Sequence, residues 1–249
     1  MRIDVLTLFP QMFAPMHHSM MWKAQEQHIL DFRTHDMRDY AQTAYRQVDD
    51  TPYGGGGGMV LKVDVVVRAV EAVRGEDACP VIMLSPQGRV FNHSVALELA
   101  RQPRLIFLCG HYEGFDERVR QTVITDDISL GDYVLTGGEL AAMVIADAVV
   151  RQLDGVLGAE GGAERESHAD GLLEHPHYTR PLEFRGLRVP EVLTQGNHAE
   201  IARWRRREAL RMTWERRPDL LRRAPLSEDD QYALAHLARA MAQARKGNV

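Results

Sequence analysis

Cys109-Gly-His-Tyr-Glu-Gly-Phe-Asp-Glu-Arg-Val-Arg-Gln-Thr-Val-Ile-Thr-Asp-Asp-Ile-Ser-Leu-Gly-Asp-Tyr-Val-Leu-Thr-Gly-Gly-Glu-Leu140 is the stretch whose reading decides the fold. It grows out of an apolar run, Arg104 to Cys109, that reads as a short buried strand closed by Gly110. The carboxylates Glu113, Asp116 and Glu117 follow at once, then a second strand-like piece around Val123 and Ile124. A glycine-punctuated loop fills Ser129 to Gly138, and Glu139 opens an apolar helix, Leu140 to Val150, with Asp147 as its one charge. Strand, glycine loop and helix N-terminus in that order make a common ligand seat at the edge of an α/β sheet. The plainer reading is a tight connection whose glycines supply only positive φ.

Toward the N-terminus the same alternation repeats. Ile3 to Phe9 is a β-rich run closed by Pro10, Met12 to Gln27 carries helical spacing, and Leu30 to Thr34 is a second short strand. Val63 to Val73 predicts an amphipathic helix, and Pro80 to Leu84 a strand that ends in a loop, Ser85-Pro-Gln-Gly88. Val95 to Ala100 reads as a helix before the Leu105 strand. Strands alternating with helices predict a parallel α/β sheet with its loops gathered at the strand C-termini. No Gly-x-Gly-x-x-Gly is present, which excludes a standard dinucleotide-binding domain. The glycine run Gly54 to Gly58 is not followed by Gly-Lys-Ser/Thr, so nucleoside triphosphate chemistry is disfavoured. It reads either as a flexible linker or as a loop where Asp49, Asp50 and Tyr53 stand beside glycines that admit another backbone.

After Gly158 the composition changes. Residues 159–171 are polar and glycine-bearing, a flexible linker. From Leu172 onward come prolines at 176, 181, 190, 218 and 225 and helical stretches over Ala199 to Arg216 and Glu228 to Ala244. The expected division is 1–158, a linker over 159–171, and a small, mostly helical domain over 172–249. His175 and His177 flank Pro176 with no Cys or acidic ligand set nearby, and read as a structured turn rather than a metal site; His17 and His18 likewise lack a ligand partner.

Hydrophobic content of 45% and charged content of 26% are ordinary for a globular protein. Cys79 and Cys109, both beside apolar runs, read as buried thiols in a reducing compartment. The N-terminal residues lack a signal peptide's long apolar core, and no run approaches the roughly 18 apolar residues of a membrane helix. A cytoplasmic protein is expected. The net charge of −5 is unevenly spread. Residues 201–223 hold nine arginines against three acids, whereas residues 113–170 hold thirteen acids against four arginines. Such a basic segment, interleaved with Trp204 and Trp214, suits phosphate contacts with stacking nearby.

The pieces Leu8-Phe-Pro10, Pro52-Tyr-Gly-Gly-Gly56, Leu84-Ser-Pro-Gln-Gly-Arg89, Tyr112-Glu-Gly114, Gly131-Asp-Tyr-Val-Leu135, Gly137-Gly-Glu-Leu140, Gly155-Val-Leu-Gly158, Pro176-His-Tyr-Thr-Arg-Pro181 and Gly196-Asn-His-Ala-Glu200 run nearly end to end. In number, order and spacing they resemble the bacterial tRNA (guanine-N1)-methyltransferases of the knotted (SPOUT) superfamily. That resemblance implies a parallel α/β sheet with a deep trefoil knot plus a small helical C-terminal domain. It also implies methyl transfer from S-adenosylmethionine, with magnesium, to N1 of guanosine 37, the tRNA base 3′ to the anticodon. The partners it implies are tRNA and a second copy of the chain, the linker of one subunit meeting the donor pocket of the other.

Guanine N1 carries a proton near neutral pH, so attack on a methyl group needs a base and a cation or donor near O6. By resemblance the donor seat maps to Leu84, Ser85, Pro86 and Gln87, to Gly110, Tyr112 and Glu113, and to Leu130, Gly131, Asp132, Tyr133, Val134 and Leu135 with Gly137 and Gly138. Arg151, which also complements the dipole at its helix end, maps to the arginine that stabilises the purine. Asp49, Asp50, Tyr53, Asn197, His198 and Arg205 map to tRNA contacts. Where the family has an aspartate base, ungapped spacing places Glu166, with Asp170 four residues on. His111 departs from the arginine that many relatives carry between that glycine and tyrosine. Metal ligands are unassigned, although Glu113 or Asp132 could contribute. Rival readings are a knotted ribose 2′-O-methyltransferase, which needs no base matched to N1, and a non-catalytic RNA-binding protein, which needs no donor loop.

Overall fold

The computed structural model describes residues 1–158 and 166–247 and divides the chain into two compact units, Met1–Gly158 and Ala159–Val249. The first unit runs β1 (Arg2–Thr7), a 3-10 segment (Pro10–His17), α1 (Ser19–Glu26), β2 (Asp31–Asp36), the short pair β3 (Asp49–Asp50) and β4 (Val60–Leu61), and α2 (Val63–Arg74). It continues through β5 (Val81–Val90), α3 (His93–Ala100), β6 (Arg104–Cys109), α4 (Glu117–Thr122), β7 (Asp126–Ser129) and α5 (Glu139–Val150). Five strands form one sheet in the order β2-β1-β6-β5-β7, every neighbouring pair parallel. The α/β class with a parallel sheet is thus the observed one.

Why the apolar run read as a strand is plain in the packing. Every residue of β6 is buried, because a central parallel strand is covered on both faces. One face packs Leu105, Phe107 and Cys109 with Ile145 and Val149 of α5; the other packs Ile106 and Leu108 with Val66 and Val70 of α2. The parallel arrangement also puts the C-terminal ends of β1, β5, β6 and β7 along one edge of the sheet.

Three sequence expectations are corrected. The strand expected at Val123 and Ile124 begins at Asp126; Val123 instead caps α4, and its apolar side chain fills the α2-side core. The helix expected over Met12 to Gln27 is two pieces, since Pro15 lies in a 3-10 segment and the chain passes through extended His18 before α1 starts. The strand expected to end at Leu84 leaves the sheet at Ser85 and returns, with Arg89 and Val90 pairing again with Ile128 and Ser129 of β7.

The second unit contains a hairpin, β8 (Glu183–Phe184) and β9 (Leu187–Arg188), then α6 (His198–Arg216), α7 (Pro218–Leu221) and α8 (Glu228–Gly247). Trp204, Leu210 and Thr213 on α6 are buried, as is Leu172. Thr213 spends its hydroxyl twice, donating to the Ala209 carbonyl and accepting from Leu173 N at 2.8 Å. The linker expected over 159–171 falls partly on 159–165, outside the described residues.

At the N-terminal end of the sheet a fully buried Asp4 gathers a histidine and two arginines. His35 Nε2 lies 2.8 Å from Oδ1, Arg2 donates at 2.8 Å and Arg104 Nε donates at 2.9 Å. Arg104 also donates to the Val73 and Arg74 carbonyls, so it closes the C-terminal end of α2 onto the sheet. Burial alone would raise the Asp4 carboxyl, but the bonds from His35, Arg2 and Arg104 outweigh it and lower it from 3.8 to about 2. A depressed carboxyl contributes stability above its unfolded value and loses it as pH falls through the folded value. Acid titration of urea unfolding should therefore show about 2 kcal/mol of stability lost between roughly pH 4 and pH 2. Asp4→Asn should cost about 3 kcal/mol at neutral pH, because the buried Arg104 keeps only the exposed Asp77 as its anion, and should flatten that acid limb.

Candidate functional site

Along the C-terminal edge of the sheet lies a cleft of about 410 Å³, within the range of small-molecule sites. Three connections build it. The excursion of β5 is the first: Leu84 and Arg89 both pair with Ile128, so the residues between them loop out while the strand keeps its line. Gly88 makes this possible, since a Cβ there would stand 2.4 Å from the backbone at Asp127 and Ile128. Arg89 then anchors the returning strand on Glu98 at 2.7 Å and Asp126 at 2.7 Å.

The second connection is Gly110 to Phe115, clamped to the glycine-rich loop. Glu113 N donates to the Met59 carbonyl at 2.9 Å, and Leu61 N to the Gly114 carbonyl at 2.9 Å. Tyr53 in that loop is wholly exposed, Asp50 is exposed, and Asp49 is half-buried in β3. The third connection is Leu130 to Gly138. Gly138 N donates to the Gly110 carbonyl at 3.0 Å, and a Cβ on Gly138 would lie 2.7 Å from Cys109 Cα, so only glycine lets α5 start this close to β6.

Beside this contact Glu139 is buried in the first turn of α5. Its carboxylate accepts from Thr7 Oγ1 at 2.6 Å and lies 2.8 Å from His111 Nε2. The His111 ring stacks edge-on against Phe9, with centroids 4.7 Å apart. Cys109 is fully buried, and burial, with the nearby Glu139 charge adding, pushes its thiol well up; it is an inert part of the floor.

Of the residues mapped to the donor seat, Leu84, Ser85, Pro86, Gln87, Gly110, Tyr112, Glu113, Leu130, Tyr133, Val134, Leu135, Gly137 and Gly138 line the cleft; Gly131 and Asp132 belong to the same loop but not to its lining. Sequence reasoning missed Phe115, Asp116, Glu117 and Arg120 as lining residues. Arg120 donates to Gln87 Oε1 at 3.1 Å and pairs with Asp127, whose other oxygen accepts from Ser85 Oγ at 2.8 Å. The signal for this was the short charged stretch Asp116 to Arg120, which is a helix capped by the Asp116 side chain on Arg118 N at 2.9 Å.

Arg151 stands at the C-terminal cap of α5 and is half-buried. In the second unit, Glu166 is half-buried and its carbonyl accepts from Ala169 N at 3.2 Å. Asp170 accepts from Leu172 N at 3.2 Å and is ion-paired with Arg206. Arg206 also holds Asp230 at 2.8 Å, and this pairing, with the Ser227 bonds, lowers the Asp230 carboxyl to about 2. Asn197 caps α6 by accepting from Glu200 N at 3.3 Å, with His198 exposed beside it. Arg205 and Arg207 are exposed and form no ion pair among the described residues.

Residues 1–223 match the model of the family described as tRNA (Guanine-1)-methyltransferase TrmD. The chain belongs to this family. It is similar to the tRNA (guanine-N(1)-)-methyltransferase of Dehalococcoides mccartyi strain 195, with 58% identity over 234 residues, 93% of this chain and 94% of the relative. The protein of the same name from Geobacter sulfurreducens is 55% identical over 241 residues, covering 96% and 98% of the two chains. That from Moorella thermoacetica is 55% identical over 243 residues, covering 96% and 97%.

Membership in a methyltransferase family implies S-adenosylmethionine as the methyl donor, and the cleft fits it. Met83, Ile128, Leu130 and Leu135 give an apolar wall, while Glu113 and Glu117 offer carboxylates for hydroxyl or ammonium groups. If the β5 excursion shapes this seat, Gly88→Ala should damage it. The added methyl must push β5 and β7 apart, at about 1–3 kcal/mol. Calorimetry should show donor affinity reduced at least tenfold alongside a lower melting temperature.

Proposed function

We propose that this protein transfers the methyl group of S-adenosylmethionine to N1 of guanosine 37 in tRNA, as a homodimer in the cytoplasm. The observation that carries the reading is the three-loop cleft at the sheet edge, in a chain that matches its family over residues 1–223. Bound donor supplies a sulfonium methyl already activated for transfer. What remains for the chain is to align the guanine, exclude water and take the N1 proton.

Glu166 is the base in this reading, supported by its ungapped spacing from Gly155-Val-Leu-Gly158 and from Gly171-Leu-Leu173. Asp170 both accepts a backbone N–H and neutralises Arg206, so moving it toward substrate would break an ion pair that packs α6. Arg151 provides the cation near O6 as N1 loses its proton. Asp49, Asp50 and Tyr53 contact tRNA from the glycine-rich loop, and Asn197, His198 and Arg205 from the start of α6. A deep trefoil knot at this sheet edge belongs to the same reading, supported by the family.

Dimerisation is supported by apolar side chains left exposed on neighbouring elements of the first unit: Met12 in the 3-10 segment, Trp22 on α1, and Leu140 and Val144 one turn apart on α5. No described helix is long and apolar enough to cross a membrane. Magnesium, expected from the resemblance, meets no cluster of three carboxylates among the described residues, although one or two carboxylates with water suffice for it, and no step is routed through it.

Glu166→Gln keeps the shape and removes the basicity, so single-turnover methylation of tRNA should slow by about 10² or more, the scale of general-base loss. Donor and tRNA binding should survive. Asp170→Asn should act mainly on stability; a dead Asp170→Asn beside a near-normal Glu166→Gln would move the base to Asp170. Methyl mapping on the product tRNA tests the position: a methyl on a ribose 2′ oxygen, or none, overturns the reading.

The basic segment divides into two roles. Arg205→Ala with Arg207→Ala should weaken tRNA binding and reduce its salt slope by about 1 to 2, since fewer counterions are released. Arg206→Ala should instead lower the melting temperature, because it strands Asp230 in a nearly buried position.

A further inference from the structure

The turn over residues 174–177 brings together groups that the methyl-transfer chemistry does not use. Glu174, His175 and His177 each offer one ligand atom, and these atoms all lie within 4.8 Å of one another. We propose that Glu174, His175 and His177 form a site for a divalent transition metal of the zinc class, separate from any magnesium requirement.

The chemistry of the donor set fixes the class. Two imidazoles and one carboxylate suit zinc, cobalt or nickel, whereas magnesium takes oxygen ligands and keeps its waters. Three protein ligands leave a fourth position for water. Tetrahedral zinc with bonds near 2.0–2.1 Å sets its ligands about 3.4 Å apart, so the widest separation must contract by up to about 1.4 Å. Glu174 and the exposed His177 have the rotamer freedom to do so, and they already meet: His177 Nε2 lies 2.8 Å from Glu174 Oε1. A metal would replace the proton shared there.

Two further features prepare the site. His175 Nδ1 is 3.3 Å from the Pro176 carbonyl, which can only accept, so the ring's lone pair is left on Nε2, the arrangement that orients metal-bound histidines elsewhere. The backbone beneath is pinned: Leu173 N donates to Thr213 Oγ1 at 2.8 Å and Glu174 N to Ser167 Oγ at 3.0 Å, while Pro176 stiffens the span between the rings. Ser167 follows Glu166 directly, so an ion held here would stiffen the segment carrying the proposed base.

The test uses the full chain, stripped with a chelator and titrated with zinc against a chromophoric indicator. One site per chain of micromolar affinity or tighter is expected, and a large excess of magnesium should not displace it. His175→Gln and His177→Gln should each weaken zinc binding at least tenfold, with circular dichroism unchanged, whereas His17→Gln with His18→Gln should leave it intact. X-ray absorption of the zinc-loaded wild type needs no variant and should show two imidazole ligands. Absence of a micromolar site, full retention in the His175 and His177 variants, displacement by magnesium, or an all-oxygen shell would each overturn the proposal.

Discussion

A buried carboxylate at the C-terminal edge of the sheet sets the geometry of everything near the cleft. Glu139 is 1% exposed, and an unpaired charge so placed would cost several kcal/mol. Its position in the first turn of α5 lowers that cost through the helix dipole. The remainder is met by Thr7 at the end of β1 and His111 just beyond β6. One carboxylate therefore ties the ends of two central strands to the start of the helix that covers them. A side chain selected only for packing could not do this, because apolar contacts do not fix which residue faces which.

That tie explains why the adjacent glycines cannot be exchanged freely. Once Glu139 is drawn inward, Gly138 is pressed onto Cys109, and Gly137 lies where a Cβ would strike both the His111 ring and the Glu139 carboxylate. The histidine at 111, where the resemblance implies an arginine, fits the same site. A guanidinium could bond Glu139 with two donors, while the imidazole reaches it with Nε2 alone and rests its ring on Phe9. The loop stays anchored, but by one contact and an aromatic edge instead of a fork.

The parts legible in the sequence were those written in a single local pattern. Arg104 to Cys109 is continuous apolar sequence because β6 is covered on both faces, and the apolar helix after Glu139 is equally plain. What stayed hidden depends on partners far along the chain. β7 begins with Asp126 and Asp127, which look like a turn until Arg89 and Arg120 are set beside them. Nothing in Ser85 to Gly88 shows that the strand resumes, since the cause is a backbone approach to residues about forty positions later. The loops that line the cleft carry motifs visible in the sequence; the Arg120 rim does not, since the four charged residues Asp116, Glu117, Arg118 and Arg120 read as surface until the Asp116 side chain caps α4.

The second unit shows why counting arginines overstates a nucleic-acid surface. The segment 201–223 is strongly basic as sequence, yet several of its charges are already neutralised within the fold. Arg206 is held between Asp170 and Asp230, Arg211 between Glu208 and Glu215, and Arg217 by Asp219. Each pair fixes a long side chain against its own unit, and counterion release requires charges that reach phosphate instead. Arg205 and Arg207 flank Arg206 yet point to solvent, because successive residues on a helix lie about 100° apart. The same run of arginines thus supplies one residue to the fold and leaves its two neighbours exposed. The division is set by helix geometry and by the acids at 170 and 230.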